Sequence, residues 1–414
     1  MITHPPEPPY VTALRPKLAT ASQARAWKAV RELTLHPAPA GTARAAMTLA
    51  AQFAAKISTP LADKLLRLWP QATDPDTFAE LVLAPAFVRE GRTDLLLTKI
   101  TALPAGLRHL TALRSLRFER CATLTDLSEL AGLTALTYLD LSGGKSITDL
   151  KPLTRLTALE RLYLQGCSLV SDISPLMGLN ALRSLNLMGT SVVNLDGIAA
   201  GLPAIEELNL QQCGSLTDIG PLSELRRLTE LWLTGSRKLT GLDGLGHHPH
   251  LTSLGQPTCP LPDLRPLSRL PALTEVTLFK ANRLTSLDGL EGHPSIRKVS
   301  LFDTERIKDF SALAGMPALR ELTVARLDQL SDLSAFSGLA NLERLFVSTC
   351  KGLSGLGRLD LPALRFLSLY HCPSLTDLGT VPDLPSLDQV LIHDCPNLPA
   401  GTTDSLSARG IRVR

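Results

Sequence analysis

The chain has 414 residues, a formal net charge of +3, and is 20% charged and only 4% aromatic. Residues 1–90 hold ten Lys plus Arg against seven Asp plus Glu, so the whole surplus of three lies there and the rest of the chain is balanced. A nucleic-acid footprint would need basic residues gathered on one face; none is visible, and nucleic acid is not expected as a partner.

In chain order, the opening MITHPPEPPY has neither a basic nor an apolar leader region, so no signal peptide is expected. Pro5, Pro6, Pro8 and Pro9 fit a polyproline ligand or a disordered tail, and the tail is the favoured reading. Thr20 with Gln23 reads as a capping box ahead of a helix that carries Trp27, Val30 and Leu33 and stops at His36-Pro37. Ala45, Leu49, Phe53 and Ile57 stripe a second helix, and Leu61, Leu65 and Leu68 a third that ends before Pro70. Asp74-Pro75 opens a fourth with Phe78, Leu81 and Val82. The second helix holds Arg44, Gln52 and Lys56 and falls short of the roughly 20 apolar residues that a membrane span needs. Residues 1–90 are thus an expected all-α domain that caps the first repeated unit of the chain.

Residues 91–112, with Leu95, Leu97, Ile100, Leu103, Leu107 and Leu110, read as a degenerate copy of a motif that then recurs thirteen times over 113–409. The copies begin at Leu113, Leu136, Leu159, Leu182, Ile205, Leu228, Leu251, Leu273, Ile296, Leu319, Leu342, Leu364 and Leu387, a period of 23 residues with two copies one residue short. Each opens with an L-x-x-L-x-L pattern, and alternation along a strand sends its positions 1, 4 and 6 inward. Stacked copies then build a parallel sheet with strands about 4.8 Å apart, and the short Pro- and Gly-bearing second halves suit helical turns. Residues 410–414, with Ile411 and Val413 between arginines, read as a closing strand.

A leucine period of 20 to 29 residues marks leucine-rich repeats. The line LERLYLQGCSLVSDISPLMGL (159–179) resembles the internalin-type repeats of bacteria, and the resemblance covers about three quarters of the chain. It implies an α/β leucine-rich repeat solenoid, with a curved parallel sheet on the concave side, short helical turns on the convex side, and the N-terminal all-α cap. It also implies protein recognition rather than catalysis. Similar repeats form sensor ends of bacterial immune-type NTPases, so the alternative is a sensor or regulatory subunit of such a system; an effector enzyme or GTPase activator is the more remote option.

All seven cysteines, Cys121, Cys167, Cys213, Cys259, Cys350, Cys372 and Cys395, fall at position 9 of their copies, a strand-to-turn corner where the family places Asn or Cys to satisfy backbone groups. No C-x-x-C pair exists, and an odd number of thiols without a leader fits a reducing, cytoplasmic compartment. The recurring Asp126, Asp149, Asp172, Asp218, Asp263, Asp309, Asp332 and Asp377 read as turn and cap residues, because each copy offers one carboxylate where a calcium ion wants six to eight oxygens. Gly144-Lys145-Ser146 lacks the earlier glycine of a phosphate loop, since Leu139 stands there. His247, His248, His250 and His293 are expected to be solvated turn residues rather than zinc ligands. No catalytic residue, metal or cofactor is expected.

Positions 3, 5, 7 and 8 face outward, and there stand Tyr138, Tyr163, Trp232, Phe279, Phe302, Phe346, Phe366 and Tyr370, eight of the seventeen aromatics in the chain. Rigid rings deliver interface energy at low entropic cost, so these residues are the expected contact set for a protein partner on the concave face of a monomer. Packing between neighbouring strands is the competing explanation. Position 3 also alternates Glu275, Lys298, Glu321 and Arg344, and Tyr370 and His371 are expected beside His393 and Asp394 as a polar cluster that anchors a partner or senses pH.

Overall fold

The computed structural model describes residues 7–37, 42–255 and 263–414. The chain divides into two compact units, Met1–Leu185 and Asn186–Arg414. It is built from parallel strands that follow one another in sequence order in two sheets, preceded by helices.

In the first unit, α1 (Pro9–Leu14), α2 (Gln23–Leu35), α3 (Ala43–Ala55), α4 (Ala62–Leu68), α5 (Pro75–Phe78) and α6 (Ala84–Arg89) form the helical part, with α5 passing through a π-helical turn into α6. Two local details differ from expectation. Pro8 and Pro9 start α1 as its cap and first residue, a place where a missing N–H costs nothing, and α2 is capped by Ser22, whose Oγ accepts from Arg25 N, rather than by Thr20. Asp74 does cap α5, accepting from Thr77 N at 3.0 Å. Leu33, Met47, Leu49, Phe53, Leu65, Phe78 and Phe87 are all buried between these helices.

The helical part docks on the repeat next to it. The indole Nε1 of buried Trp69 donates to Pro75 O and to Ala105 O, each at 3.1 Å. Gly106 sits in the left-handed region at φ +85°, and a Cβ there would lie 2.7 Å from Ala79 Cβ and 2.8 Å from Asp76 Cα, so only glycine permits this approach. Arg108 and His109 both reach Asp76, at 2.6 and 3.1 Å.

The repeats of the first unit contribute β1 (Asp94–Thr98), β2 (Ser115–Glu119), β3 (Tyr138–Asp140), β4 (Arg161–Tyr163) and the start of β5 (Ser184–Asn186). β1 is the degenerate copy: Asp94 pairs with Ser115 and Leu95 with Leu116, the register that β2 to β4 keep. The second unit holds β6 (Glu207–Asn209), β7 (Glu230–Trp232) and β8 (Ser253–Gly255), then β9 (Glu275–Phe279), β10 (Lys298–Phe302), β11 (Glu321–Ala325), β12 (Arg344–Ser348), β13 (Phe366–Tyr370) and β14 (Gln389–His393). β15 (Arg412–Val413) closes the sheet by pairing with β14, after a short helix Asp404–Ala408 that the leucine pattern does not announce.

In the described repeats of each unit the residues at positions 1 and 4 are all buried and form that unit's core. Stacking is what makes it possible, because a single copy has no second surface against which to hide its leucines. The second halves are mostly single 3₁₀ turns. Ahead of these, Asp126, Asp149, Asp172, Asp218, Asp263, Asp309 and Asp332 each accept from the N–H two residues on, at 2.8 to 2.9 Å. The hydrogen bonds from Ser174 and Ser311 hold the Asp172 and Asp309 carboxyls below the usual range.

Candidate interaction face

Outward positions of the repeats divide into three rows whose residues are aligned strand to strand by the register. At position 3, Glu275, Lys298, Glu321 and Arg344 stand directly opposite one another. Lys298 Nζ reaches Glu321 at 3.0 Å, and Arg344 meets the same carboxylate at 2.7 Å. Burial pushes the Glu321 carboxyl up, but the hydrogen bonds from Lys298 and Arg344 outweigh it and hold the group below its ordinary range. Lys298, Glu321 and Arg344 therefore satisfy each other as a structural ladder across three strands, and Glu275 is left outside these pairs.

At position 7 of β9 to β14 the register lines up Phe279, Phe302, Ala325, Ser348, Tyr370 and His393. Phe279 is 38% and Tyr370 50% exposed, whereas Ala325 is buried. Two groups of rings thus flank a stretch of small side chains. Tyr370 stacks on His393 with centroids 5.2 Å apart, and His371 Nδ1 pairs with the Asp394 carboxylate, which brings together the four residues of the polar cluster.

Position 8 carries a feature that the leucine pattern hides. It is left-handed in every described copy, with φ of +77°, +72°, +69° and +85° at Gly143, Gly166, Gly189 and Gly235, and of +56° to +57° at Lys99, Arg120 and Gln212. In β9 to β14 the same corner is never glycine: Lys280, Asp303, Arg326, Thr349, His371 and Asp394 hold φ between +51° and +55°. A side chain in this region costs about 1 to 3 kcal/mol, which six successive copies spend where glycine would spend nothing. Lys280, Asp303, Arg326 and Thr349 were not among the expected contact residues. The signal was present in the sequence as glycine at this position in other copies.

The remaining rings stand at outward positions of their own strands and are partly accessible, but several also pack on a neighbour. Tyr138 and Tyr163 have centroids 5.4 Å apart, with the Arg161 guanidinium 5.5 Å from the Tyr138 ring. Phe346 and Phe366 are 5.3 Å apart. Trp232 lies over Gly255, where a Cβ would come within 2.6 Å of the indole. Phe279 and Phe302 have no ring partner among the described residues.

The expectation of solvated histidines is wrong for two of the four. His248 and His293 are buried, and their rings bond Leu225 O at 3.2 Å and Leu270 O at 3.1 Å, carbonyls of the preceding copy. Burial lowers the pKa of both. His247 and His250 are exposed. Six cysteines are free thiols, five of them buried; Cys259 lies outside the described residues. Cys167 and Cys213 donate to Leu141 O and Leu187 O at 3.2 Å, and Ser236 fills the same place on Leu210 O at 2.6 Å. Burial pushes the Cys167 thiol up to about 11 and Cys372 to about 12, so both are inert thiols at neutral pH. Gly144 belongs to a repeat corner, its N–H bonded to Leu141 O. Among the described residues no three side chains could hold a metal ion, and no helix is long and apolar enough to cross a membrane.

Residues 134–178 match the family model of two-copy leucine-rich repeats. The chain has a leucine-rich repeat fold. Its fold is similar to that of an internalin of Listeria monocytogenes, at 21% identity and a TM-score of 0.50 over 82% of this chain and 94% of that one. A leucine-rich repeat protein of Leptospira interrogans aligns at 15% identity and a TM-score of 0.49, over 82% and 92%. Among curated proteins none matches in sequence. The shared feature is the repeat frame.

Proposed function

We propose that the protein is a non-catalytic recognition scaffold which, as a monomer in a reducing, cytoplasmic compartment, binds a protein partner on the outer face of β9 to β14. The observation that carries this reading is the corner row. Six successive copies hold a charged or polar side chain in a left-handed backbone that glycine would occupy without strain, and backbone strain retained in this way is a signature of function. Beside that row stand the exposed rings of Phe279 and Tyr370, of the residue type that dominates interface energy. The position 3 ions Lys298, Glu321 and Arg344, being mutually paired, contribute the frame rather than the contacts. The free thiols support the reducing compartment.

The test is to isolate the native partner and measure its affinity for Phe279→Ala, Phe302→Ala and Tyr370→Ala beside the melting temperature of each. A shielded anchor is expected to cost about 2 kcal/mol or more of binding with little change in melting. Unchanged affinity with a lowered melting temperature would assign the rings to packing and end the proposal.

A further inference from the structure

A cavity of about 460 Å³ opens on the helical part of the first unit, between α2, α3 and the turn after α1. Its floor is apolar, made by the buried Leu14, Ala29 and Phe53. At its mouth stand three exposed cations, Lys17, Arg25 and Lys28, with Glu32 the one carboxylate among the lining residues. Arg25, Lys28, Ala29 and Glu32 share one stripe of α2, so helical geometry alone aims them at the cavity.

None of these three cations has an ion-pair partner among the described residues; Arg15, Arg44 and Arg89 of the same helical part each face a carboxylate, and Arg31, Lys56 and Arg67 do not. Like charges placed three residues apart on a helix repel, and Lys17 adds a third without an answering group.

We infer that this cavity binds a small organic anion, with its acidic head held by Lys17, Arg25 and Lys28 and a short apolar body resting on Leu14, Ala29 and Phe53. Its volume lies in the range of small-ligand sites, about 300 to 1,000 Å³. Few converging polar groups over an apolar floor are also the usual lining of such sites. The site is separate from the sheet face and does not depend on the recognition role.

Isothermal titration of the full chain with decanoate, decanol, acetate and inorganic phosphate tests both halves of the inference. Decanoate is expected to bind, with decanol and acetate each about tenfold weaker or worse, because one lacks the charge and the other the apolar body. Phosphate alone is expected to bind no better than acetate. The double variant Lys17→Gln with Arg25→Gln should weaken decanoate about tenfold at an unchanged melting temperature, since both side chains are exposed. Phe279→Ala should leave decanoate binding as it is. The inference is overturned by absence of decanoate binding up to about 1 mM, by decanol binding as tightly, by unchanged affinity in the double variant, or by loss of binding in Phe279→Ala instead.

Discussion

The copies that carry β3 to β8 and those that carry β9 to β14 share one leucine frame and differ at the corner. The earlier group has three-residue strands, and four of its six copies turn on glycine; the later has five-residue strands and no glycine at the turn. In the earlier group Asp140, Asn186 and Asn209 at position 5 accept from the N–H two residues on at 2.9 Å, so a side chain completes the corner. In the later group position 5 holds Thr, Ser, Phe or Leu, and the strand runs on into the exposed row. Core requirements are equal in the two groups, so they cannot be the source of the difference. What differs is the demand on the outward face.

The comparison breaks first if the frames are not equivalent. Leu162→Ala in β4 and Leu322→Ala in β11, both fully buried, are expected to cost about 2 to 5 kcal/mol each in denaturant unfolding. A loss in only one of them would mean that the two groups are held together differently.

Corner exchanges come next and carry opposite signs. Arg326→Gly and Thr349→Gly should raise stability by about 1 kcal/mol each through relief of backbone strain, less what Arg326 gains from Asp303 at 3.4 Å. Gly166→Ala should lower it by about 1 kcal/mol on conformation alone, because the nearest atom to its Cβ would be 3.9 Å away. Loss of stability in the glycine variants would show that those side chains serve the fold.

Ring truncation sharpens the distinction between packing and display. Tyr163→Ala removes the partner of Tyr138 and should cost about 0.5 to 1.5 kcal/mol beyond its burial, whereas Phe279→Ala has no such pair to lose. Melting temperatures of the two variants provide the check.

The smallest effect concerns pH. His248 in the earlier group and His293 in the later both have folded pKa values below the ordinary 6.5, so the unfolded chain takes up protons more readily. Their contribution is whole above that value and is lost as pH falls through it. Melting between about pH 7.5 and 5.5 should therefore drop, and His248→Gln with His293→Gln should reduce the slope. A slope unchanged in the double variant would place the loss elsewhere.

Much of this was legible in the chain. Leucine spacing announced every described repeat strand, and the aspartates announced the turns, because both depend on contacts within one copy or between identical neighbours. The cap of α2 was misplaced by two residues, since Thr20 and Ser22 offer the same hydroxyl and only the path of the backbone chooses between them. The burial of His248 and His293 was missed because each ring is satisfied by a carbonyl of the preceding copy, 23 residues earlier.

By itself, the sequence determined the period, the inward row and the parallel order, since a 23-residue repeat of leucines can bury its apolar face only by stacking on its own kind. Tertiary structure alone decided which outward side chains stand free and which are spent on one another. Lys298, Glu321 and Arg344 look like part of a binding row until the register pairs them, and the cations over the floor of Phe53 look scattered until three helical segments close around them. The physical reason is that burial and pairing are properties of residues far apart in the chain, and the chain order does not contain those distances.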